Sequence, residues 1–218
     1  MMEILSSSDL ILGAGIIDRK VTDAGALLCR YRGDTGCYYL DYVPATSADE
    51  LVPEDIAVTL LVNSQVTGRA FRSIQLRAGE INLQSLPNKH LQDTTLQERQ
   101  TVAEIIAVLA TFEGFAASVA TKLLHKKRPG LIPILDNQAI FGAYLNPKWP
   151  TQQATGYSVK GAKWILEALN RITTDLNRPE NQMVWPVLEA IEPTRTRIQL
   201  FDSVWWIYFR ATQPVQRR

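Results

Sequence analysis

The sequence predicts an all-α domain with at most a small β-hairpin near the N-terminus. Three observations carry that expectation. Segment after segment shows apolar residues at helical spacing, and hydrophobic residues make up 46% of the 218-residue chain. The punctuation is that of helices: Thr95-Leu96-Gln97-Glu98 reads as a capping box, Pro53 precedes two acids, and Gly114 closes a long apolar run. Strand character is confined to Cys37-Tyr38-Tyr39-Leu40-Asp41-Tyr42, where a local hairpin fits. Length and composition give one domain over residues 1–218, divisible into a lobe at 55–145 and a second built from 1–54 and 146–218.

In chain order, Leu10 to Ile17 read as a helix broken by Gly13 and Gly15. Val21 to Arg32 fit a helix that starts near Thr22 or Asp23 and stops at the turn Gly33-Asp34-Thr35-Gly36. Pro53-Glu54-Asp55 opens a helix whose residues Ile56, Ala57, Val58, Leu60, Leu61 and Val62 are apolar almost all round, which predicts burial at the centre. It turns polar at Asn63-Ser64-Gln65, and Arg69, Arg72 and Arg77 follow. The capping box opens a helix over 95–112. A second helix fits Ser118 to Lys127 and must stop before Pro129. Pro133-Ile134-Leu135 is extended, and Asp136 stands where an N-cap belongs, ahead of a helix over Gln138 to Leu145. After the bend Asn146-Pro147-Lys148-Trp149-Pro150, Ser158 caps an amphipathic helix with Trp164, Ile165, Ala168, Leu169 and Ile172 on its apolar face. A short helix at 182–191 starts or kinks at Pro186, and a helix over 194–211 closes the chain.

Charge and composition narrow the function. The formal charge is +1, so any nucleic-acid surface must be local. Cys29 and Cys37 read as free thiols with at least one buried, and with His90 and His125 they give no zinc-ligand spacing. No metal and no cofactor is expected. The sparse cysteines suit a reducing cytoplasm, the N-terminus does not read as a signal peptide, and no apolar run is long enough for a membrane span. Trp164, Trp185, Trp205 and Trp206 read as core residues. Oligomeric state is open.

Two motifs carry a resemblance. Phe112-x-Gly114-Phe115-Ala116-x-x-x-Ala120 resembles the hairpin h-x-G-h-G-x-x-x-A of the helix-hairpin-helix DNA glycosylases, and Pro133-Ile134-Leu135-Asp136 resembles their acid motif at a similar distance. Upstream, Leu61-Val62-Asn63-Ser64-Gln65-Val66 looks like the DNA-inserting helix end of the adenine-glycosylase branch. Lys122-Leu123-Leu124-His125-x-Lys127-Arg128-Pro129 also looks like an uncharacterised family of bacterial proteins. The glycosylase resemblance implies a two-lobed all-α fold, double-stranded DNA as partner, and an active cleft between the lobes. The four-cysteine iron–sulfur module of some glycosylases is absent.

The chemistry explains why those residues would matter. Breaking an N-glycosidic bond builds positive charge on the sugar, which a fixed carboxylate stabilises. The resemblance makes Asp136 that carboxylate. It makes Asn63, Ser64 and Gln65 the fillers of the gap left by a flipped base. The turn Gly114, Phe115, Ala116, Ala117, Ser118 would offer backbone N–H groups to a phosphate, beside the dense basic run Lys122, His125, Lys126, Lys127, Arg128. Ser118 stands where lyase-type members carry the attacking lysine, so activity would be monofunctional, with Lys122 one turn on as a remote substitute. Ala116 replaces a glycine, at about 1 kcal/mol if that position needs positive φ. Val58 replaces a second carboxylate, which argues against adenine. Each residue also has a structural reading: Asp136 as a cap alone, 125–128 as a solvated loop, 63–65 as a polar helix end. The leading function is a monofunctional DNA N-glycosylase acting on a damaged or modified base. The alternatives are a non-catalytic nucleic-acid-binding module and a structural or interaction protein.

Overall fold

The computed structural model describes residues 9–14, 16–33, 36–62, 64, 66–146 and 161–212. Among these, eight α-helices carry the fold: α1 (Ala24–Tyr31), α2 (Gly36–Asp41), α3 (Gly68–Arg77), α4 (Leu96–Ala110), α5 (Ala117–Lys127), α6 (Ala162–Asn177), α7 (Trp185–Ile191) and α8 (Arg197–Thr212). One two-stranded antiparallel sheet near the N-terminus, β1 (Leu10–Leu12) with β2 (Arg19–Val21), completes it. The protein is therefore all-α with a small hairpin.

The hairpin lies elsewhere than expected. Leu10 to Leu12 form a strand, not a broken helix, and Cys37 to Asp41 are helical in α2. Distant side chains decide the first change. Asn181 pairs with the free edge of β1, accepting from Ile11 N–H at 2.8 Å and donating to Ile11 C=O at 2.9 Å. Asp175 accepts from Gly13 N–H at 2.6 Å and Ala14 N–H at 3.1 Å, and it also binds the Tyr144 hydroxyl. Gly13 is required there, because its φ is +123° and an added Cβ would meet the Ile17 carbonyl oxygen at 2.3 Å. In α2, Tyr39 is fully buried and its hydroxyl donates to the Lys122 carbonyl, so tertiary contact overrides strand propensity.

Residues Pro53–Val62 form a 3₁₀-helix, not an α-helix. Three residues per turn place side chains in eclipsed rows. Glu54, Ala57 and Leu60 make an exposed row, Asp55 and Val58 a buried one. Leu60 is 64% exposed, so the expectation of burial all round is corrected. The capping box is present: Thr95 Oγ1 accepts from Glu98 N–H at 3.2 Å, and Glu98 accepts from Thr95 N–H at 2.7 Å. In α6, Ile165, Ala168, Leu169 and Ile172 are buried, but Trp164 is 52% exposed because it falls off that stripe. Neither free cysteine is buried. The cap expected at Ser158 and the bend at 147–150 lie outside the described residues.

A hydrophobic cluster runs from Leu10 to Phe209, with α4 packed on α5 and α6, and α1 packed on α7 and α8. A smaller cluster of Tyr31, Tyr39, Leu40, Val58 and Ile207 adjoins it, with Leu27 and Trp206 packed against both.

Candidate functional site

The extended stretch that carries Asp136 is fixed by three side chains. His125 Nδ1 bonds the Ile132 carbonyl at 2.7 Å, Ile134 N–H donates to Asp202 at 3.2 Å, and Leu135 N–H donates to Thr121 Oγ1 at 3.0 Å. Asp136 then caps the next turn as expected: its Oδ1 accepts from Gln138 N–H at 2.8 Å and Ala139 N–H at 2.9 Å. That turn, Asn137–Gly142, is a π-helix rather than the start of an α-helix, with bonds such as Phe141 N–H to Asp136 C=O at 3.1 Å. Single π-turns are rare and widen the backbone locally.

Asp136 opens onto a cavity of about 410 Å³. Lys122 and Asp202 share its wall with Asp136, and Tyr31, Tyr39, Trp205 and Trp206 enclose it. Arg210 also lines it. Lys122 Nζ donates to Ser64 Oγ at 3.0 Å, which brings Ser64 to the same place. Burial lowers the pKa of Lys122, and the nearby Asp136 acts against that shift. Asn63 and Gln65, expected to fill a gap in DNA, lie outside the described residues. Val58 is buried in the small cluster beside the cavity.

The basic run is turned inward. His125 is fully buried, and burial brings its pKa down to about 4. Lys127 forms a buried ion pair with Asp55 at 2.7 Å, their side chains 1% and 2% exposed, and donates to the Ser47 carbonyl at 2.6 Å. Lys126 donates to the Leu40 and Tyr42 carbonyls at 3.1 and 2.7 Å and sits 4.4 Å over the Tyr39 ring. Arg128 binds Asp49 and the Ala48 carbonyl. The run clamps residues 40–55, which takes His125 and Lys127 out of reach of a phosphate, while Lys126 and Arg128 stay part-exposed.

The hairpin turn forms with one change of detail. Positive φ falls at Gly114 (+83°), where an added Cβ would meet Ala70 Cβ at 2.9 Å. Ala116 is extended, at φ −142°, so it carries no strain. Phe115, Ala117 and Ser118 are buried, and Ser118 does not line the cavity. No side chain caps the N-terminus of α5. The cations beside this turn come from α3: Arg69, Arg72 and Arg77 line a groove of about 550 Å³ together with Glu113 and Gly114. Arg69 pairs with Glu113 at 3.2 Å and Arg77 with Glu80 at 2.7 Å.

A family model described as a family of unknown function (DUF6308) matches residues 24–208. The chain belongs to the DUF6308 family. No curated protein and no solved structure matches it. The matched span of this DUF6308 chain holds every cavity-lining residue except Arg210.

Sequence reasoning about this DUF6308 protein missed Asp202 and the aromatic walls. Asp202 had one signal, an acid inside the apolar run Leu200-Phe201-Asp202-Ser203-Val204-Trp205 of a helix interior. Trp205 is buried as expected, its indole N–H donating to the Ala139 carbonyl at 2.8 Å, but Trp206 is only part-buried. Tyr31 and Tyr39 had no local signal. Among the described residues no group of three His, Cys, Asp or Glu is placed to hold a metal, and no helix is long and apolar enough to cross a membrane.

Proposed function

We propose that the protein binds double-stranded DNA and cleaves the N-glycosidic bond of a damaged or modified base. One observation carries this reading. Asp136 and Lys122, both named from the motifs, share the wall of one aromatic cavity with Asp202. Its volume of about 410 Å³ falls in the range of roughly 300–1,000 Å³ common for small-molecule pockets. A flipped base is planar and apolar on its faces, and Tyr31, Tyr39, Trp205 and Trp206 offer the surfaces it stacks on. Asp136 is held rigid through one oxygen by two backbone N–H groups, which leaves its other oxygen for charge developing at the sugar. Lys122 is bonded to Ser64, and Ser118, in the lyase lysine's place, is off the cavity, so hydrolysis by water is the expected course. The DNA backbone would meet the Gly114 turn and the arginines of α3 rather than the inward-turned run at 125–128.

The test is binding to a short duplex holding a stable abasic-site analogue, against the intact duplex, at two salt concentrations. Preference for the abasic duplex is expected. Release of a base from a panel of damaged duplexes, with no adduct trapped by borohydride, then establishes monofunctional excision. Salt-sensitive binding without preference would indicate a plain nucleic-acid module, and no binding at low salt would sink both readings.

A further inference from the structure

The cavity holds a second acid that the proposed chemistry does not use. Asp202 lies in the interior of α8, and its Oδ2 accepts a hydrogen bond from Ile134 N–H at 3.2 Å. His125 Nδ1 is 3.8 Å from the same oxygen, but that nitrogen is bonded to the Ile132 carbonyl at 2.7 Å, and the buried ring stays neutral. The other titratable groups facing the cavity are Tyr31 from α1, Tyr39 from α2, Lys122 from α5, Asp136 at the head of the π-turn, and Arg210 two turns along α8. Lys122 donates to Ser64 and forms no ion pair with Asp202. Among the described residues no cation pairs with Asp202, and a carboxyl group removed from water beside a single N–H is driven toward its protonated form. Burial accordingly pushes Asp202 well above the usual carboxylate range.

We infer that Asp202 is the specificity-determining residue of the cavity, donating a hydrogen bond to its occupant and so selecting a planar nitrogen heterocycle that presents a carbonyl oxygen or an unprotonated ring nitrogen. The oxygen held by Ile134 N–H is the acceptor end of the acid, and the other carries the proton into the cavity. An ionised carboxylate would offer only acceptors and would select amino or ring N–H groups instead. A protonated carboxylic acid used as a donor at neutral pH is a known device of buried sites. The inference rests on the proposed base-binding role of the cavity.

The experiment uses the full chain and free adenine, guanine, cytosine, uracil and hypoxanthine as probes, read by quenching of tryptophan fluorescence. Asp202→Asn keeps an acceptor for Ile134 N–H and a donor toward the cavity, whereas Asp202→Leu removes the donor. For the tightest-bound base, affinity should stay within about threefold in Asp202→Asn and fall about tenfold in Asp202→Leu, the effect of one buried hydrogen bond. Equal loss in both variants, or no loss in Asp202→Leu, would overturn the inference, as would failure of every base to bind. The infrared difference between wild type and Asp202→Asn at pH 7 should show a protonated-carboxyl band, and a carboxylate band in its place would also overturn it, whether or not the Leu variant folds. The abasic-duplex assay leaves the cavity empty, so it separates the two ideas. Abasic binding without base binding removes the role of Asp202 alone. Base binding that depends on Asp202 without abasic binding removes the DNA reading alone.

Discussion

Replacing Asp136 by Asn and by Ala separates its two duties, capping and charge. Oδ1 accepts from Gln138 and Ala139 N–H groups at 2.8 and 2.9 Å, two donors that the π-turn itself leaves unpaired. Asn has an oxygen of the same reach and caps about as well as Asp, whereas Ala loses both bonds at about 1–2 kcal/mol. For a chain of this length about 1 kcal/mol moves Tm by roughly 2–4 °C. Asp136→Ala should therefore melt about 2–8 °C below wild type. Asp136→Asn loses only the interaction of its charge with the turn's N-terminus, about 0.3–1 kcal/mol, and should melt within about 4 °C of wild type. Thermal melts would be run beside base release from damaged duplexes and binding to the abasic duplex. Asp136→Asn should fold, hold the abasic duplex and release no base. Excision by Asp136→Asn at the wild-type rate would reduce Asp136 to a cap. Melting of Asp136→Asn together with Asp136→Ala would show that the charge, not the hydrogen bonds, holds this turn.

Three further outcomes follow from the same geometry. Folded His125 takes its proton only near pH 4 against a usual 6.5, so the unfolded chain binds more protons in that interval; its contribution is complete above pH 6.5 and is lost as pH falls to 4, by about 3 kcal/mol at roughly 1.4 kcal/mol per pKa unit. Asp202, displaced upward, acts in the opposite sense, so urea melts across this range should compare wild type with His125→Gln, which should lack the His125 slope. Lys127→Met leaves Asp55 buried without its cation and should cost about 3–5 kcal/mol, part of which Lys127→Met/Asp55→Leu should restore in urea titrations; an intact single variant would refute the clamp. Arg69→Ser with Arg72→Ser should weaken duplex binding uniformly across sequences and lower the salt slope by about 2, while unchanged slope would move the backbone contact away from α3.

How far the sequence could be read depended on how local each cause was. The box at Thr95 and Glu98, the stop before Pro129 and the cap at Asp136 are all set within four residues, and all were legible. The β-strand at Leu10 to Leu12 depends on Asp175 and Asn181, more than 160 residues away, and Tyr39 is drawn into a helix by a bond to Lys122, 83 residues away. The candidate site divides the same way. Lys122 and Asp136 line one cavity and Lys122 is bonded to Ser64, whereas the direction of the run His125 to Arg128 did not show. Four basic residues before a proline look alike whether they face solvent or an acid such as Asp55, 72 residues upstream.

On the proposed reading, that inward turn changes where recognition of DNA can reside. With His125 and Lys127 buried and Lys126 and Arg128 bonded to segment 40–49, the positive charge nearest the hairpin belongs to Arg69, Arg72 and Arg77, and two of these pair with Glu113 and Glu80. Such a groove is only weakly positive. On the proposed reading, phosphate contacts then supply little of the affinity, and more of it must come from what enters the cavity. The cavity is built in that sense: four aromatic residues around two acids that are held differently, Asp136 by two N–H groups with Lys122 nearby and Asp202 by one N–H with no cation paired to it among the described residues. The different surroundings give the two acids different duties on the proposed reading, Asp136 toward the sugar and Asp202 toward the base. A protein organised this way should lose little discrimination between bases as salt rises, even while its overall hold on duplex DNA falls.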